Sequence, residues 1–111
     1  MILNLASFPN SRIKPRPATS ARDSSIVEVP DGGAILAVAQ NLNRTDVLLK
    51  NLDSVNSVYY GYDASIDDQV GSDGSTELKA GEAVSIDVAS DIFIFNNSGS
   101  AVNVSVDEGE G

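Results

Sequence analysis

An all-β fold, a seven- to eight-stranded antiparallel sandwich of jelly-roll or immunoglobulin-like type, follows from three features of this sequence. After Asp23 the apolar residues recur with a period of two. Residues that favour turns (Gly, Pro, Asn, Asp, Ser) separate these short runs at regular intervals. No stretch sustains a helical period. Such a succession of short strands suits a sandwich of two packed sheets.

The elements follow in order. Strands are predicted over Ser25–Val29, Ala34–Gln40, Thr45–Asn51, Val55–Tyr62, Ala83–Val88, Asp91–Asn96 and Ala101–Val106, with an eighth over Ser75–Lys79. The separators are residues 30–33, 41–43, 52–54, 63–74, 80–81 and 97–100. Two strands alternate cleanly. Val102, Val104 and Val106 take one face of the last strand, with Asn103 and Ser105 on the other. In residues 83–88, Ser85 and Asp87 point outward. Each of these strands has one buried and one wet face. Two others are apolar on both faces: Ile92 and Ile94 oppose Phe93 and Phe95, and Val58, Tyr60 and Tyr62 oppose Tyr59. A strand of that kind is central, covered by another segment, or part of a subunit interface. Tyr59, Phe93 and Phe95 are therefore the candidate interface residues.

Charge divides the chain. Residues 1–22 hold Arg12, Lys14, Arg16 and Arg22 and no acid, a charge of +4. The rest holds the other 3 of 7 basic residues and all 16 acidic ones, 3 − 16 = −13, which restores the net −9. Pro9, Pro15 and Pro17 lie in this basic head, and Pro15 and Pro17 push Lys14 and Arg16 toward extended conformations. Residues 1–24 read as an extended arm whose apolar anchors are Leu3, Leu5, Phe8 and Ile13. Residues 25–107 read as the β-domain and residues 108–111 as a frayed acidic tail. The arm cannot build a core, so it is expected to dock on another surface through Leu3, Leu5, Phe8, Arg12, Ile13, Lys14 and Arg16.

Composition narrows the chemistry. The chain has 111 residues, enough for one domain with a modest aliphatic core. Such a core gains from oligomerisation. It has no His and no Cys, which removes the commonest general base, the commonest metal ligand and every Ser/His or Cys/His arrangement. No cofactor or metal is expected, and no catalytic residue is assigned. Residues 63–74 concentrate four carboxylates, Asp63, Asp67, Asp68 and Asp73. Asp68 stands where a calcium-binding EF-hand loop needs Gly, and Gly74 where it needs Glu, so a solvated loop is the favoured reading. An acidic body repels phosphate, so nucleic acid is not an expected partner. No apolar run has the roughly 20 residues of a membrane span, and no membrane partner is expected.

From Asn41 to Asp107 the chain resembles small structural proteins of tailed-bacteriophage heads. The residues that carry this are Asn43-Arg44 leading a strand that ends Leu49-Lys50-Asn51, then Val58-Tyr59-Tyr60-Gly61-Tyr62-Asp63, then residues 78–86, then Asp91-Ile92-Phe93-Ile94 and a Val-alternating last strand. They are similar to a β-domain of phage virion proteins that includes capsid decoration, or cement, proteins. The resemblance implies a non-enzymatic homotrimer on the outer capsid surface. Its partner would be the major capsid protein, whose neighbouring subunits it would bridge with the arm reaching over the shell. Related modules of phage tails and fibres suggest an alternative, a carbohydrate- or cell-surface-binding role using Tyr59, Tyr60 and Tyr62.

Overall fold

In the computed structural model, residues 21–70 and 74–110 are described, and they contain eight strands. These are β1 (Ala21–Val29), β2 (Gly33–Val38), β3 (Arg44–Asn51), β4 (Val58–Gly61), β5 (Thr76–Leu78), β6 (Ala83–Ile86), β7 (Ile92–Asn96) and β8 (Val102–Glu110). The predicted all-β class and the eighth strand are both present. The first and last strands differ from the sequence reading. β1 begins at Ala21, so residues 21–24 belong to the sheet. β8 continues to Glu110, so residues 108–110 are strand.

The strands form two antiparallel four-stranded sheets, ordered β1-β8-β3-β6 and β2-β7-β4-β5. Every connection except β4 to β5 passes from one sheet to the other. The inward residues form one cluster. The first sheet supplies Val29, Val47, Leu49, Ile86, Val102, Val104 and Val106, and the second supplies Val38, Val58, Tyr60, Leu78, Ile92 and Ile94. The alternation seen in the sequence places them: Val102, Val104 and Val106 are buried, while Asn103 is exposed. In β2 the register shifts between Leu36 and Val38. The bulge leaves Leu36 exposed and brings Val38 into the core.

Polar side chains tie the loops at both ends. Asn51 and Asn96 are fully buried. The Asn51 amide donates to the carbonyls of Asn56 (2.8 Å) and Leu78 (3.0 Å), and its oxygen accepts the N–H of Asp53 (2.9 Å). Asn96 does the same for Val29 (2.9 Å), Ser100 (2.8 Å) and the N–H of Ser98 (3.0 Å). Each amide thus satisfies loop groups that would otherwise be buried unpaired.

At the opposite end the Arg44 side chain is fully buried. Its Nε donates to Glu108 Oε2 at 2.7 Å, Nη1 to the carbonyls of Val88 (2.8 Å) and Ser90 (2.9 Å), and Nη2 to that of Ala39 (2.6 Å). Asn41 Nδ2 donates to both Glu108 (3.1 Å) and Glu110 (2.7 Å). These contacts explain why residues 108–110 are strand: Glu108 is paired with Arg44 at the start of β3, and both Glu108 and Glu110 are hydrogen-bonded by Asn41 of the preceding loop.

Two outcomes follow from these ties. Replacing Arg44 by Met removes the charged partner of Glu108 and a donor to three carbonyls, and removing one partner of a buried pair costs about 3–5 kcal/mol. Urea unfolding should show that loss, and the double variant Arg44→Met with Glu108→Leu should recover part of it. Asp53 Oδ2 accepts the N–H groups of Asn56 and Val55, in that order of effect, which holds its carboxyl below the usual range. A depressed carboxyl stabilises the fold above its unfolded value, and that contribution is lost as pH falls through the folded one. The urea midpoint of the native chain should therefore drop between neutral pH and about pH 3, below the ordinary carboxylate range. Asp53→Asn should show a smaller drop.

Candidate functional surface

The outer faces of the two sheets differ in character. On the first sheet the outward rows are mostly polar: Glu28 beside Asn103, Ser105 between Ile26 and Lys50, and Leu48 between Asp107 and Ser85. Arg22 crosses this face. It donates to Asp46 Oδ1 (2.9 Å) and Oδ2 (3.2 Å) and to Asp107 Oδ1 (3.1 Å). Gly109 lies beneath, where a Cβ would strike the guanidinium and Asp46. The hydrogen bonds from Arg22 hold the Asp46 carboxyl below its usual range. Arg22 is thus part of the folded body, although the sequence places it in the arm.

On the second sheet the outward rows are apolar. Alternation along β7 sends Ile92 and Ile94 inward and Phe93 and Phe95 outward. Phe93 stands between Leu36 of β2 and Gly61 of β4, and Phe95 between Ala34 and Tyr59. The rings of Tyr59 and Phe95 meet at 6.4 Å between centroids with a 58° tilt, within the edge-to-face range. Phe93, Phe95 and Tyr59 are half-buried, and Leu36 is 49% exposed. The three residues singled out from the sequence as an interface are therefore brought together on one face.

Two carboxylates border this face. Glu77 of β5 stands opposite Tyr59 and accepts the Ser57 hydroxyl at 2.7 Å. Asp68 accepts the Asn97 amide at 2.7 Å. Burial first, then the negative charges of Glu77 and Asp68, push the Tyr59 hydroxyl above its usual range. The loop after β4 covers the far corner. Ile66 is buried, and a Cβ on Gly61 would come within 2.5 Å of its Cγ2. Gly61 gives this loop its seat on the outer face, a role that its place in an aromatic run did not reveal.

The arm residues Leu3, Leu5, Phe8, Arg12, Ile13, Lys14 and Arg16 lie outside the described residues. The three clustered tyrosines do not share a surface: Tyr60 faces the core, Tyr59 the outer face, and Tyr62 is 47% exposed in the following loop. In the acidic loop, Asp63 and Asp67 accept the N–H groups of Ser65 (3.0 Å) and Gln69 (2.8 Å). Among the described residues no three potential metal ligands cluster. No protein-family model matches the chain, and no curated protein or solved structure matches it either.

The two faces of β7 should respond differently to substitution. Ile94→Ala removes core volume and should cost about 2–5 kcal/mol in urea unfolding. Phe95→Ser, one residue away but outward, should cost less than Ile94→Ala while reducing self-association measured by sedimentation.

Proposed function

We propose that this chain is a non-enzymatic structural protein of a phage virion that decorates and stabilises the capsid lattice. In this reading it is a homotrimer on the outer capsid surface that bridges neighbouring subunits of the major capsid protein. The observation that carries the reading is the apolar outer face of the β2-β7-β4-β5 sheet. It is a broad sheet surface on which Leu36, Phe93, Phe95 and Tyr59 stand outward. An apolar sheet face of this kind suits contact with another macromolecular surface. The basic, proline-containing segment before β1 supplies a tether that reaches past the body, onto the lattice. Its prolines lower the ordering cost of that contact.

The strand connectivity supports the jelly-roll alternative for the sandwich. An immunoglobulin-type domain places consecutive strands side by side in each sheet. Here β4 and β5 are the one consecutive pair that does so among the described strands. Eight-stranded jelly rolls serve in viral capsids and in lectins, so the connectivity suits the decorating role without requiring it.

Arg22 is built into the body, so the test of the tether is deletion of residues 1–20. The truncated protein should fold with an unchanged urea midpoint and show reduced occupancy on capsids by co-sedimentation. Attachment of the full chain should weaken as salt rises, because exposed charge contacts are screened over about 8–10 Å. Unchanged occupancy would remove the tether.

Stabilisation of the shell is tested by the disruption temperature of particles with and without bound protein. A ligand that binds only the assembled shell contributes about 2.7 kcal/mol per site at a hundredfold excess over its dissociation constant. The temperature should rise with occupancy. Equal temperatures at saturation would overturn the cement role in favour of a surface-recognition module.

A further inference from the structure

We infer that the outer face of the β2-β7-β4-β5 sheet is the docking surface for residues 1–20 of a second copy of this chain. The inference does not depend on the capsid reading. Within that reading, it means that the tether laces one decorating copy to the next.

The match is chemical. The face presents Leu36, Phe93, Phe95 and Tyr59. It is bordered by Glu77 and Asp68, close enough for their charges to act on the Tyr59 hydroxyl. A partner for such a surface needs apolar anchors interleaved with positive charge and no acid. Residues 1–20 have that composition: Leu3, Leu5, Phe8 and Ile13 with Arg12, Lys14 and Arg16, and no Asp or Glu. Elsewhere the chain does not offer it. The described residues hold Arg22, Arg44, Lys50 and Lys79 against 15 of the 16 acids, since Asp73 is the one outside them, a balance of 4 − 15 = −11. Two such bodies repel when pressed face to face. A basic segment laid between them lowers that repulsion, with Arg12, Lys14 and Arg16 offsetting part of the facing charge.

Reach allows the segment to extend beyond its own body. The chain enters β1 at Ala21, which pairs with Glu110, as Arg44 does from the other side of β8. β1 is an edge strand packed near β2 and β7 of the opposite sheet. With sheets about 10 Å apart and strands about 4.8 Å apart, the chain's own outer face lies roughly 15–20 Å from that edge. Phe8 lies 13 positions before Ala21. In the extended form that Pro15 and Pro17 favour, that stretch spans about 40 Å. That length is more than the chain's own face requires and is enough to reach the face of a neighbour.

The test uses the absence of cysteine from the native chain. Ser7→Cys, next to the Phe8 anchor, is labelled with a photoreactive benzophenone in purified full-length protein, with no capsid present. Isotopically heavy and light chains are mixed before irradiation, and adducts are located by fragmentation mass spectrometry. The expected product joins a heavy and a light chain, with the label on residues 34–36, 59 or 93–95. Leu36→Asp should reduce that adduct several-fold. Because Leu36 is exposed, the change leaves the core intact, which circular dichroism and an unchanged urea midpoint will check. Adducts confined within single chains would show closure on the chain's own face and overturn the inference. Adducts at other residues, or none, would overturn it as well. Capsid binding by a protein that fails this test would leave the decorating role standing with the shell as the tether's partner.

Discussion

The end of the sandwich where the chain enters and leaves depends on one buried guanidinium. Arg44 bonds three carbonyls from two loops and one carboxylate from the last strand. Taking a charge out of water costs several kcal/mol per ion, so the group is tolerable there only because nearly all its donors are used. Its planar fork can serve four acceptors in different directions, which a lysine ammonium on a flexible stem does less well. The consequences run outward from this point. Glu108 is held, so β8 continues to Glu110. Because β8 continues, β1 has a partner along all nine residues, back to Ala21. The position from which the basic segment departs is thus set by an interaction some twenty residues further along the chain.

The opposite end solves the same problem with neutral groups. Buried Asn51 and Asn96 each hold two carbonyls and one N–H from adjoining loops and strand ends. Two amides do there what a charged side chain does at the other end, without the desolvation cost of an ion. Both close the sandwich where consecutive strands cross between sheets, which is where backbone groups would otherwise lose their partners.

The distribution of aromatic residues connects this architecture to function. The inward faces are filled almost wholly by Val, Ile and Leu, with Tyr60 the aromatic exception. The phenylalanines of the described body, Phe93 and Phe95, face outward with Tyr59. Large aromatic side chains contribute most when they are fully covered. Here the fold leaves its largest apolar groups half-covered on one sheet and bordered by acid. The opposite sheet sets Ile26 and Leu48 among ion pairs and hydroxyls and carries no outward aromatic ring among the described residues, so the two sides of the sandwich differ in character.

Much of this was legible in the sequence. The period-two alternation and the turn residues between runs identified the all-β class and the approximate places of the strands, because side-chain direction in a strand follows from local geometry alone. The doubly apolar pattern of residues 92–95 also marked Phe93, Phe95 and Tyr59 as a surface. Alternation could not say that Leu36 would join it, since that depends on strand order. The extent of β8 was hidden for a related reason. Residues 108–110 read as a frayed acidic end, whereas the structure sets Arg44 and Asn41 against Glu108 and Asn41 against Glu110. Arg22 likewise read as one more charge of the arm, and only the pairing of β1 with β8 set it between Asp46 and Asp107. Local periodicity determined the elements, and long-range pairing decided which charges are buried, which strands continue and which face is left for a partner, because those outcomes rest on residues far apart in the chain.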